Sequence, residues 1–455
     1  MCGILFIKNF NSKIDLSLAK QSLYLMKHRG PDESKIICNK NYLFGFNRLS
    51  INKLSSGSQP FYDESTKLVI MLNGEIFNYK EQINHLKKKY KLNFKKNTEV
   101  ELISKLYFLF GDNFFDFLDG QYSIVIQDIK KNLTIFGRDE FGITPLFWTK
   151  TSHGFYVSSE IKSLTPFCEK FSINKESLVN TALFWTNIGE QSSFDNISQF
   201  LPGYKYILKG KKILKTKVTK INFDSQENIF KKDTDYLESF DEKFEQAVKK
   251  RTTCDPEIKY GCYLSGGIDS FLIGKKMKKY LRKNTNHYKS FSIDFENKFF
   301  SERKYQIISA KNSNLKNKRI VINNTDIINN FSKTIYHAET TLFRSAPVPM
   351  MLLSKAVNHQ GLKFILSGEG ADEILLGYDI FKLPKINNFL NRNQDSNFRY
   401  YIMKNLYNHL PQYQNKKYLK LISTIYSNKN FFSKNYPHHY YRWGNNLKLM
   451  SIFNK

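Results

Sequence analysis

The stretch Tyr263-Leu264-Ser265-Gly266-Gly267-Ile268-Asp269-Ser270 decides the fold of the second half of this chain. A short apolar run precedes it and apolar residues at helical spacing follow it, so the order is strand, glycine turn, helix. The two glycines let backbone N–H groups approach an anion, and the serines and the helix start add further donors. A phosphate cradle and an ordinary capped turn both fit these residues.

The loop has no lysine at the position that a G-x-x-x-x-G-K-[ST] loop requires, so it is not of that type. The pattern S-G-G-x-D-S instead resembles the pyrophosphate loop of the ATP pyrophosphatases, which cleave ATP between the α and β phosphates. The resemblance implies ATP as a substrate and Mg²⁺ at Asp269, since a carboxylate and phosphate oxygens suit this hard cation.

Composition limits the class of protein. The chain has 455 residues, enough for two or three domains, and 41% of them are hydrophobic. The formal net charge of +29 raises a nucleic-acid hypothesis. The basic residues are spread along the whole chain, however, and no RNP, zinc or helix-turn-helix signal accompanies them, so nucleic-acid binding ranks last.

The five cysteines form no C-x-x-C pair and no disulfide framework, which favours a reducing compartment. No signal peptide is recognisable, and no run approaches the roughly 20 apolar residues that a membrane span needs. We expect a soluble cytoplasmic protein without a membrane partner.

The start of the chain carries a second candidate site. Removal of Met1 would expose Cys2, followed by the apolar run Ile4 to Ile7. A free α-amine with a pKa near ~8 can serve as general base to its own thiol, so an N-terminal cysteine is a self-contained nucleophile.

Further segments strengthen this interpretation. They follow one another in a fixed order, namely Met1-Cys2-Gly3-Ile4, His28-Arg29-Gly30-Pro31-Asp32, Phe46 to Ile51, Asn73 to Tyr79, Gly137 to Phe147 and Ser158 to Lys162. Together they resemble the glutaminase domain of class II glutamine amidotransferases, the N-terminal nucleophile type.

The resemblance implies roles for these residues. The Cys2 thiolate attacks the glutamine side-chain amide, and Asn73 and Gly74 hold the tetrahedral oxyanion with uncharged donors. Arg48 pairs with the substrate α-carboxylate and Glu75 accepts from the ammonium group. The predicted glutamine-binding residues are Arg48, Leu49, Ser50, Ile51, Asn52, Asn73, Gly74, Glu75 and Asn97.

One position departs from the family pattern. Asn97 stands where the family commonly has an aspartate for the substrate α-amino group. Loss of a charge-assisted hydrogen bond costs about 1.5 to 3 kcal/mol, so we expect weaker glutamine binding that Asn97→Asp would restore.

The apolar patterns predict many strands and few helices in the first half. Strands are expected at 35–39, 42–51, 68–72, 123–128, 132–137 and 155–158, with helices at 16–27 and 98–110. This pattern fits a four-layer αββα sandwich at residues 2–220. An exit hairpin is expected at 201–208 and a linker at 222–235.

The second half, residues 235–455, alternates strand and helix. A helix follows Asp235, and further buried strands are expected at 288–295 and 319–322. The alternation predicts an α/β domain with a doubly wound parallel sheet and ligands at the carboxyl ends of its strands.

A second loop follows the apolar run Phe364 to Leu366 and reads Ser367-Gly368-Glu369-Gly370-Ala371-Asp372-Glu373. Together with the N-terminal cysteine segments and the Ser265 to Ser270 loop, this second loop makes the chain resemble the glutamine-hydrolysing asparagine synthetases. By that resemblance Glu369 orients the acyl adenylate, Asp269 and Asp372 hold Mg²⁺, and Arg344 binds the acceptor carboxylate. The nucleotide-binding residues are Leu264, Ser265, Gly266, Gly267, Asp269, Ser270, Ile293, Ser367 and Gly368.

The family also implies glutamine, aspartate and ATP as substrates. Its later Arg-x-Pro-Phe-Leu-Asp segment and a site lysine are not found here, so the synthetase domain is expected to be C-terminally shortened. Amidation of another carboxylate, on a sugar, peptide or metabolite, is one alternative. The other is a glutaminase-competent subunit or regulator with an impaired synthetase site. The expected protein partner is a second copy in a homodimer, or a second polypeptide that completes the synthetase domain.

Overall fold

The structure is a computed structural model, and it describes residues 1–10, 13–218, 221, 232–281, 289–393, 398–406, 415–426, 443–444 and 446–447.

The first domain contains twelve strands and four α-helices among the described residues. The strands are β1 (Gly3–Asn9), β2 (Glu33–Cys38), β3 (Tyr42–Arg48), β4 (Phe61–Asp63), β5 (Leu68–Ile76), β6 (Gly120–Asp128), β7 (Leu133–Arg138), β8 (Phe147–Lys150), β9 (Gly154–Ser158), β10 (Ile197–Gln199), β11 (Tyr204–Lys209) and β12 (Lys212–Lys217). The helices are α1 (Leu16–Leu25), α2 (Tyr79–Tyr90), α3 (Glu99–Phe110) and α4 (Lys175–Phe184).

Two antiparallel sheets stack face to face in this domain. One has the order β10-β8-β9-β1-β3-β2 and the other the order β12-β11-β7-β6-β5-β4. Successive side chains of β1 point to opposite faces of its sheet. Ile4 and Phe6 pack between the two sheets, whereas Leu5 and Ile7 pack against α1, so both faces of this sheet are covered. Helices α2 and α3 cover the outer face of the second sheet. The predicted αββα sandwich is confirmed, as are its predicted strands and helices.

The second domain is built around a parallel sheet. Its elements are α5 (Asp233–Arg251), β13 (Tyr260–Tyr263), α6 (Ile268–Lys278), β14 (Ser290–Phe295), α7 (Arg303–Ser313), β15 (Asn317–Ile322), α8 (Asn324–Ala338), α9 (Pro347–Asn358), β16 (Phe364–Leu366), α10 (Ala371–Leu375), α11 (Leu383–Arg392), α12 (Phe398–Leu406) and α13 (Lys416–Tyr426).

The strand order β15-β14-β13-β16 makes this sheet doubly wound, and all three pairings are parallel. Helices α5 and α6 pack with β13 on one face, through Val248 and Met277, and α9 packs on the other through Leu353. The chain reverses its winding between β13 and β16. Ligands of such sheets bind at this reversal, beyond the carboxyl ends of the strands.

The predicted doubly wound domain is therefore confirmed. Most of the predicted linker, residues 222–231, lies outside the described residues. Within the described part of the chain, no helix has both the length and the apolar character needed to cross a membrane.

Candidate active sites

Cys2 lies immediately before β1, at the rim where the two sheets of the first domain meet. Its Sγ accepts a hydrogen bond from the Leu49 backbone N–H at 3.3 Å, and its own backbone N–H donates to Asn73 Oδ1 at 2.8 Å. Asn73 belongs to β5 of the other sheet. The predicted nucleophile is thus held by the residue that follows β3 of one sheet and by a residue of β5 of the other.

Asn73 also offers a free donor. Its side chain is completely buried, and its Nδ2 has no hydrogen-bond partner among the described residues. Buried polar groups in proteins are almost always paired, so a donor left free in a cavity points to a ligand oxygen. Next to it, Gly74 has φ +142°, and a Cβ there would lie 1.9 Å from the Gln121 carbonyl oxygen. Only glycine fits this position.

A cavity of about 130 Å³ opens beside the thiol. Of the predicted glutamine site it brings together seven residues besides Cys2, namely Arg48, Leu49, Ile51, Asn52, Asn73, Gly74 and Glu75. Met1 also lines it. Burial lowers the pKa of the Met1 α-ammonium group to about 6 and raises the pKa of the Cys2 thiol. After removal of Met1, the nitrogen that donates to Asn73 Oδ1 would be the free α-amine of Cys2.

Ser50 is not among the lining residues. Its backbone N–H donates to Asp32 Oδ2 at 2.7 Å, and both Asp32 oxygens accept from Lys363 Nζ at 2.7 Å. Lys363 and Phe364 line the cavity beside Cys2 although they belong to the second domain. Sequence reasoning missed this contribution, because nothing in the sequence indicates how the two domains dock.

Arg48 lines the cavity, and its side chain holds the loop at residues 52–54. Its guanidinium donates to the carbonyl oxygens of Asn52, Lys53 and Leu54 at 2.8 to 3.1 Å. Nη1 also lies 3.6 Å from a carboxylate oxygen of Glu33. In this structure Arg48 therefore shapes the wall of the cavity.

Two carboxylates share the cavity. Glu75 Oε2 accepts from Asn52 Nδ2 at 2.5 Å, and Glu99 Oε1 accepts from the Ile76 backbone N–H at 2.6 Å. Burial raises the pKa of Glu75 to about 7. Burial, and next the charge of Glu75, raise the pKa of Glu99 well above its ordinary value. Glu99 was not predicted, although it is the first residue of α3 and directly follows the segment assigned to substrate binding.

Asn97 is placed differently. Its Oδ1 accepts from Lys87 Nζ at 2.6 Å, and it does not line the cavity that contains Cys2. Its backbone has φ +50°, and its N–H donates to Glu101 Oε2 at 2.8 Å. The structure thus brings Glu99, and not Asn97, beside Glu75.

The glycine loop of the second domain has the geometry of an anion site. The Ser265 N–H donates to Ser270 Oγ and the Gly267 N–H to Ser265 Oγ, both at 3.0 Å. The Gly266 N–H donates to Glu302 Oε2 at 3.0 Å. A carboxylate oxygen thus occupies the position expected for a phosphate oxygen, at the start of α6.

Two further residues of the predicted nucleotide site are mainly structural here. Leu264 is buried, its N–H donates to the Phe291 carbonyl at 2.8 Å, and its own carbonyl accepts from Ser292 Oγ. Ile293 packs in the core on the α9 side of the sheet, and its carbonyl accepts from Gln306 Nε2 at 2.7 Å.

The second loop, Ser367 to Glu369, meets the first. A Cβ built on Gly368 would lie 3.1 Å from the Asp269 Cβ and 3.3 Å from the Ser270 backbone nitrogen. The two loops follow β16 and β13, which are adjacent and parallel. Their contact lies at the winding reversal, where the sheet topology favours ligand binding.

A larger cavity of about 720 Å³ lies between the domains. Glu369, Glu339 and Arg344 line it from the second domain, and Trp185 lines it from the first. The Arg344 guanidinium lies over the Trp185 ring, 5.0 Å from its centroid. The carboxylate predicted to orient an acyl adenylate therefore faces an interdomain cavity, whereas Arg344 stacks on an aromatic side chain.

The predicted magnesium ligands fit a cation that arrives with a nucleotide. No cluster of three or more acidic, histidine or cysteine side chains able to hold a metal occurs in the described ranges. Asp269 stands in the first turn of α6 and Asp372 in the first turn of α10, on the two loops that meet at Gly368. Mg²⁺ commonly takes one or two carboxylates and completes its shell with substrate phosphates and water.

Comparison with known proteins assigns both halves of the chain. Residues 1–219 match the family model described as a glutamine amidotransferase domain, and residues 239–445 match the one described as asparagine synthase.

Curated relatives carry the same combination. The chain is 30% identical to asparagine synthetase [glutamine-hydrolyzing] of Zea mays, over 86% of this chain and 62% of that protein. It is 30% identical to asparagine synthetase B of Escherichia coli K12, over 84% and 65%. A probable asparagine synthetase of Dictyostelium discoideum is 30% identical over 86% of this chain and 68% of that protein. The chain spans a little under two thirds of the first two relatives, and it belongs to the family of glutamine-hydrolysing asparagine synthetases.

Proposed function

We propose that the chain is an ATP-dependent amidotransferase that hydrolyses glutamine at Cys2 and transfers the ammonia to an adenylated carboxylate. The acceptor that the family supports best is aspartate, with asparagine, AMP, diphosphate and glutamate as products. The observation that carries the proposal is the arrangement of Asn73, whose Oδ1 holds the Cys2 nitrogen while its Nδ2 is free beside the thiol.

The first half-reaction follows from this arrangement. The α-amine of Cys2, freed by loss of Met1, takes the thiol proton, and the thiolate attacks the glutamine amide carbon. Asn73 Nδ2 donates to the oxygen that becomes negative, and an uncharged donor held rigidly by burial needs no reorganisation. The C–N bond then breaks, ammonia leaves with the proton from the amine, and water hydrolyses the resulting thioester to glutamate.

The second half-reaction belongs to the two loops that meet at Gly368. The Ser265 to Gly267 loop supplies backbone N–H groups for the departing diphosphate. Asp269 and Asp372 would hold Mg²⁺, which neutralises phosphate charge when it is bound. Glu369 faces the interdomain cavity, where an acceptor carboxylate would be activated by AMP and then attacked by ammonia.

Contacts between the domains support transfer of ammonia inside the protein. The glutamine cavity is closed partly by Lys363, and β16, which begins at the next residue, ends at the Ser367 loop. The larger cavity is lined from both domains. The five cysteines, all among the described residues, form no disulfide, which agrees with the cytoplasmic location that we propose.

Amidation of another carboxylate remains the rival within enzymes, and the volume of the interdomain cavity is the observation that favours it.

The test uses purified chain with Met1 removed, as verified by mass spectrometry. Glutamine alone should yield glutamate, and Cys2→Ala should abolish this reaction. Glutamine, Mg-ATP and aspartate together should yield asparagine, AMP and diphosphate. Glutamate production without diphosphate release would support the proposed glutaminase reaction and contradict the proposed synthetase reaction. Absence of glutamate production by the processed chain would remove the proposal as a whole.

A further inference from the structure

The segment at residues 339–344, which follows α8 in the second domain, is attached to the first domain. The Glu339 carboxylate accepts from the Ile161 N–H at 2.6 Å and from the next N–H along the chain at 2.8 Å. Thr340 Oγ1 accepts from Ser193 Oγ at 3.0 Å. In the described part of the chain, every side-chain hydrogen bond of Glu339 and Thr340 goes to the first domain. The first domain therefore fixes the course of this segment.

The segment ends on the ring of Trp185, a residue of the first domain. The Phe343 and Trp185 rings are stacked, with centroids 5.1 Å apart and an interplanar angle of 22°. The guanidinium carbon of Arg344 lies 5.0 Å from the centroid of the same Trp185 ring. Trp185 caps the end of α4 with φ +65°, and its N–H donates to the Thr181 carbonyl at 2.9 Å. Such a backbone conformation is uncommon for a bulky residue and persists where the surrounding structure imposes it.

Trp185, Phe343 and Arg344 line the interdomain cavity that Glu369 also lines. Arg344 is exposed, and its guanidinium forms no hydrogen bond and no ion pair among the described residues. We infer that Trp185 is a positioning residue for the acceptor, which holds Arg344 by a cation–π contact so that the guanidinium can bind an acceptor carboxylate. This inference rests on the proposed synthetase function of the second domain.

The geometry of a guanidinium explains why a stacked arginine can still bind an anion. Contact with a ring uses the face of the planar group and leaves its in-plane N–H groups available to a carboxylate. Glu339 lines the same cavity, but its oxygens accept from Ile161 and from Lys162, so this carboxylate is not a counter-ion for Arg344. The donors of Arg344 are thus open to a ligand.

The contact with Trp185 also restricts a flexible side chain. An arginine without partners occupies many rotamers, and a ligand that immobilises it loses binding free energy. Tryptophan is the aromatic residue that attracts cations most strongly, so its ring orients Arg344 before the acceptor arrives. Trp185 should therefore lower the Michaelis constant for the acceptor without contacting the reacting atoms.

The test uses the full chain with Met1 removed, and ammonium chloride replaces glutamine so that glutamine hydrolysis is not needed. Trp185→Ala should raise the Michaelis constant for aspartate roughly 3- to 30-fold, with a smaller change in kcat. The Michaelis constant for ATP and the rate of glutamine hydrolysis should stay within about twofold. Trp185→Phe keeps an aromatic face and should recover most of the loss.

Phe108→Ala is the matched control, because it removes another exposed aromatic side chain of the first domain that does not line this cavity. It should change none of these constants. Should Trp185→Ala fail to fold, Trp185→Leu keeps apolar volume without a π face and should show the same rise for aspartate.

A double substitution shows whether Trp185 acts through Arg344. Arg344→Leu and Trp185→Ala/Arg344→Leu should have the same Michaelis constant for aspartate, because the ring has no guanidinium left to hold. Effects of the two substitutions that multiply, or Trp185→Phe as impaired as Trp185→Ala, would overturn the inference.

Calorimetric titration of aspartate in the presence of Mg-AMP measures binding without turnover. A wild-type chain that binds aspartate but forms no asparagine would contradict the proposed synthetase reaction, while weaker binding by Trp185→Ala would still support the inference. Equal affinity of wild type and Trp185→Ala would overturn it. A wild-type chain that binds no aspartate would overturn it together with the choice of aspartate as acceptor.

Discussion

Lys363 Nζ lies 2.7 Å from both carboxylate oxygens of Asp32, and this ion pair joins the second domain to the wall of the cavity beside Cys2. Asp32 in turn accepts from the Ser50 N–H at 2.7 Å. Burial opposes ionisation of Asp32, but the hydrogen bonds from Lys363 and Ser50 outweigh it and lower its pKa. Lys363 is a positioning residue for the loop that follows Arg48.

Lys363→Gln should therefore raise the Michaelis constant for glutamine severalfold and change kcat less, because the loop wall loosens while Cys2 and Asn73 stay in place. Steady-state glutaminase kinetics test this. Lys355→Gln, on an exposed position of α9, is the control. An effect confined to kcat would contradict the positioning role.

Because the pKa of Asp32 is lowered, its contribution to stability should be present above the ordinary carboxyl range and be lost on acidification.

The pKa of Glu75, raised to about 7 by burial, predicts a pH dependence of glutamine binding. Only the ionised carboxylate attracts the substrate ammonium, so affinity should fall about tenfold per pH unit below 7 and be constant above it. Calorimetry on Cys2→Ala between pH 5.5 and about 8.5 measures this. Glu75→Gln should bind weakly at every pH, and a titration unchanged by that substitution would contradict the assignment.

The same raised pKa gives a stability prediction for the ligand-free protein. Protonated Glu75 is favoured in the folded state, so its contribution is fully present below the unfolded carboxyl pKa and is lost as the pH rises through about 7. Thermal unfolding of wild type should therefore lose stability between pH 5 and about 7.5 relative to Glu75→Gln. A parallel pH profile for the two proteins would show that the carboxylate is not buried.

Lys162 connects the domains through two carboxylates. Its Nζ lies 2.7 Å from Glu160 and 2.8 Å from Glu339, and all three side chains are less than a tenth exposed. Removing one partner of a buried pair leaves charge uncompensated, so Lys162→Met should lower the free energy of unfolding by about 3 to 5 kcal/mol. Lys131→Met removes an exposed lysine 3.8 Å from Asp128 and should cost at most about 1 kcal/mol. Denaturant titrations in which the two variants lose equal free energy of unfolding would contradict a stabilising role of the buried Lys162 network.

Gly368 is the point where the two loops that we propose bind ATP touch each other. A Cβ there would lie 3.1 Å from the Asp269 Cβ, so Gly368→Ala should force the loops apart. We expect ATP binding to weaken about tenfold or more while glutaminase activity is unchanged. Fluorescent-nucleotide titration and the glutaminase assay measure the two effects, and Gly444→Ala, which has open space around it, is the control. Unaltered ATP affinity would place the nucleotide elsewhere.

Several features could be predicted because they depend on local chemistry. A continuous apolar run determines a strand that is buried on both faces, such as β1, and the pair of glycines before α6 determines a tight turn. The order of strand and helix in the second half was sufficient to predict a doubly wound sheet, since a parallel pair requires a crossover. Cys2 could be proposed as a nucleophile from the sequence, because this chemistry depends only on its place at the N-terminus.

Other features required the folded chain. Asn97 was the expected partner of the substrate ammonium by its place in the sequence, yet the turn that precedes α3 directs it to Lys87. Glu99, two residues later, enters the cavity because the helix begins there. Two side chains that are two positions apart at the start of a helix point in different directions. The packing of α3 on β5 decides which of the two faces the cavity.

The sequence by itself determined both fold classes, the two glycine loops and the family, and it was sufficient to propose Cys2 as the nucleophile, because each rests on residue type and spacing along the chain. Only the tertiary structure decided that Lys363 lines the cavity beside Cys2, that Gly368 meets Asp269, and that Glu75 and Glu99 share one cavity. These relationships join segments far apart in the chain, and their distances depend on the packing of sheets, helices and domains, which no local pattern encodes.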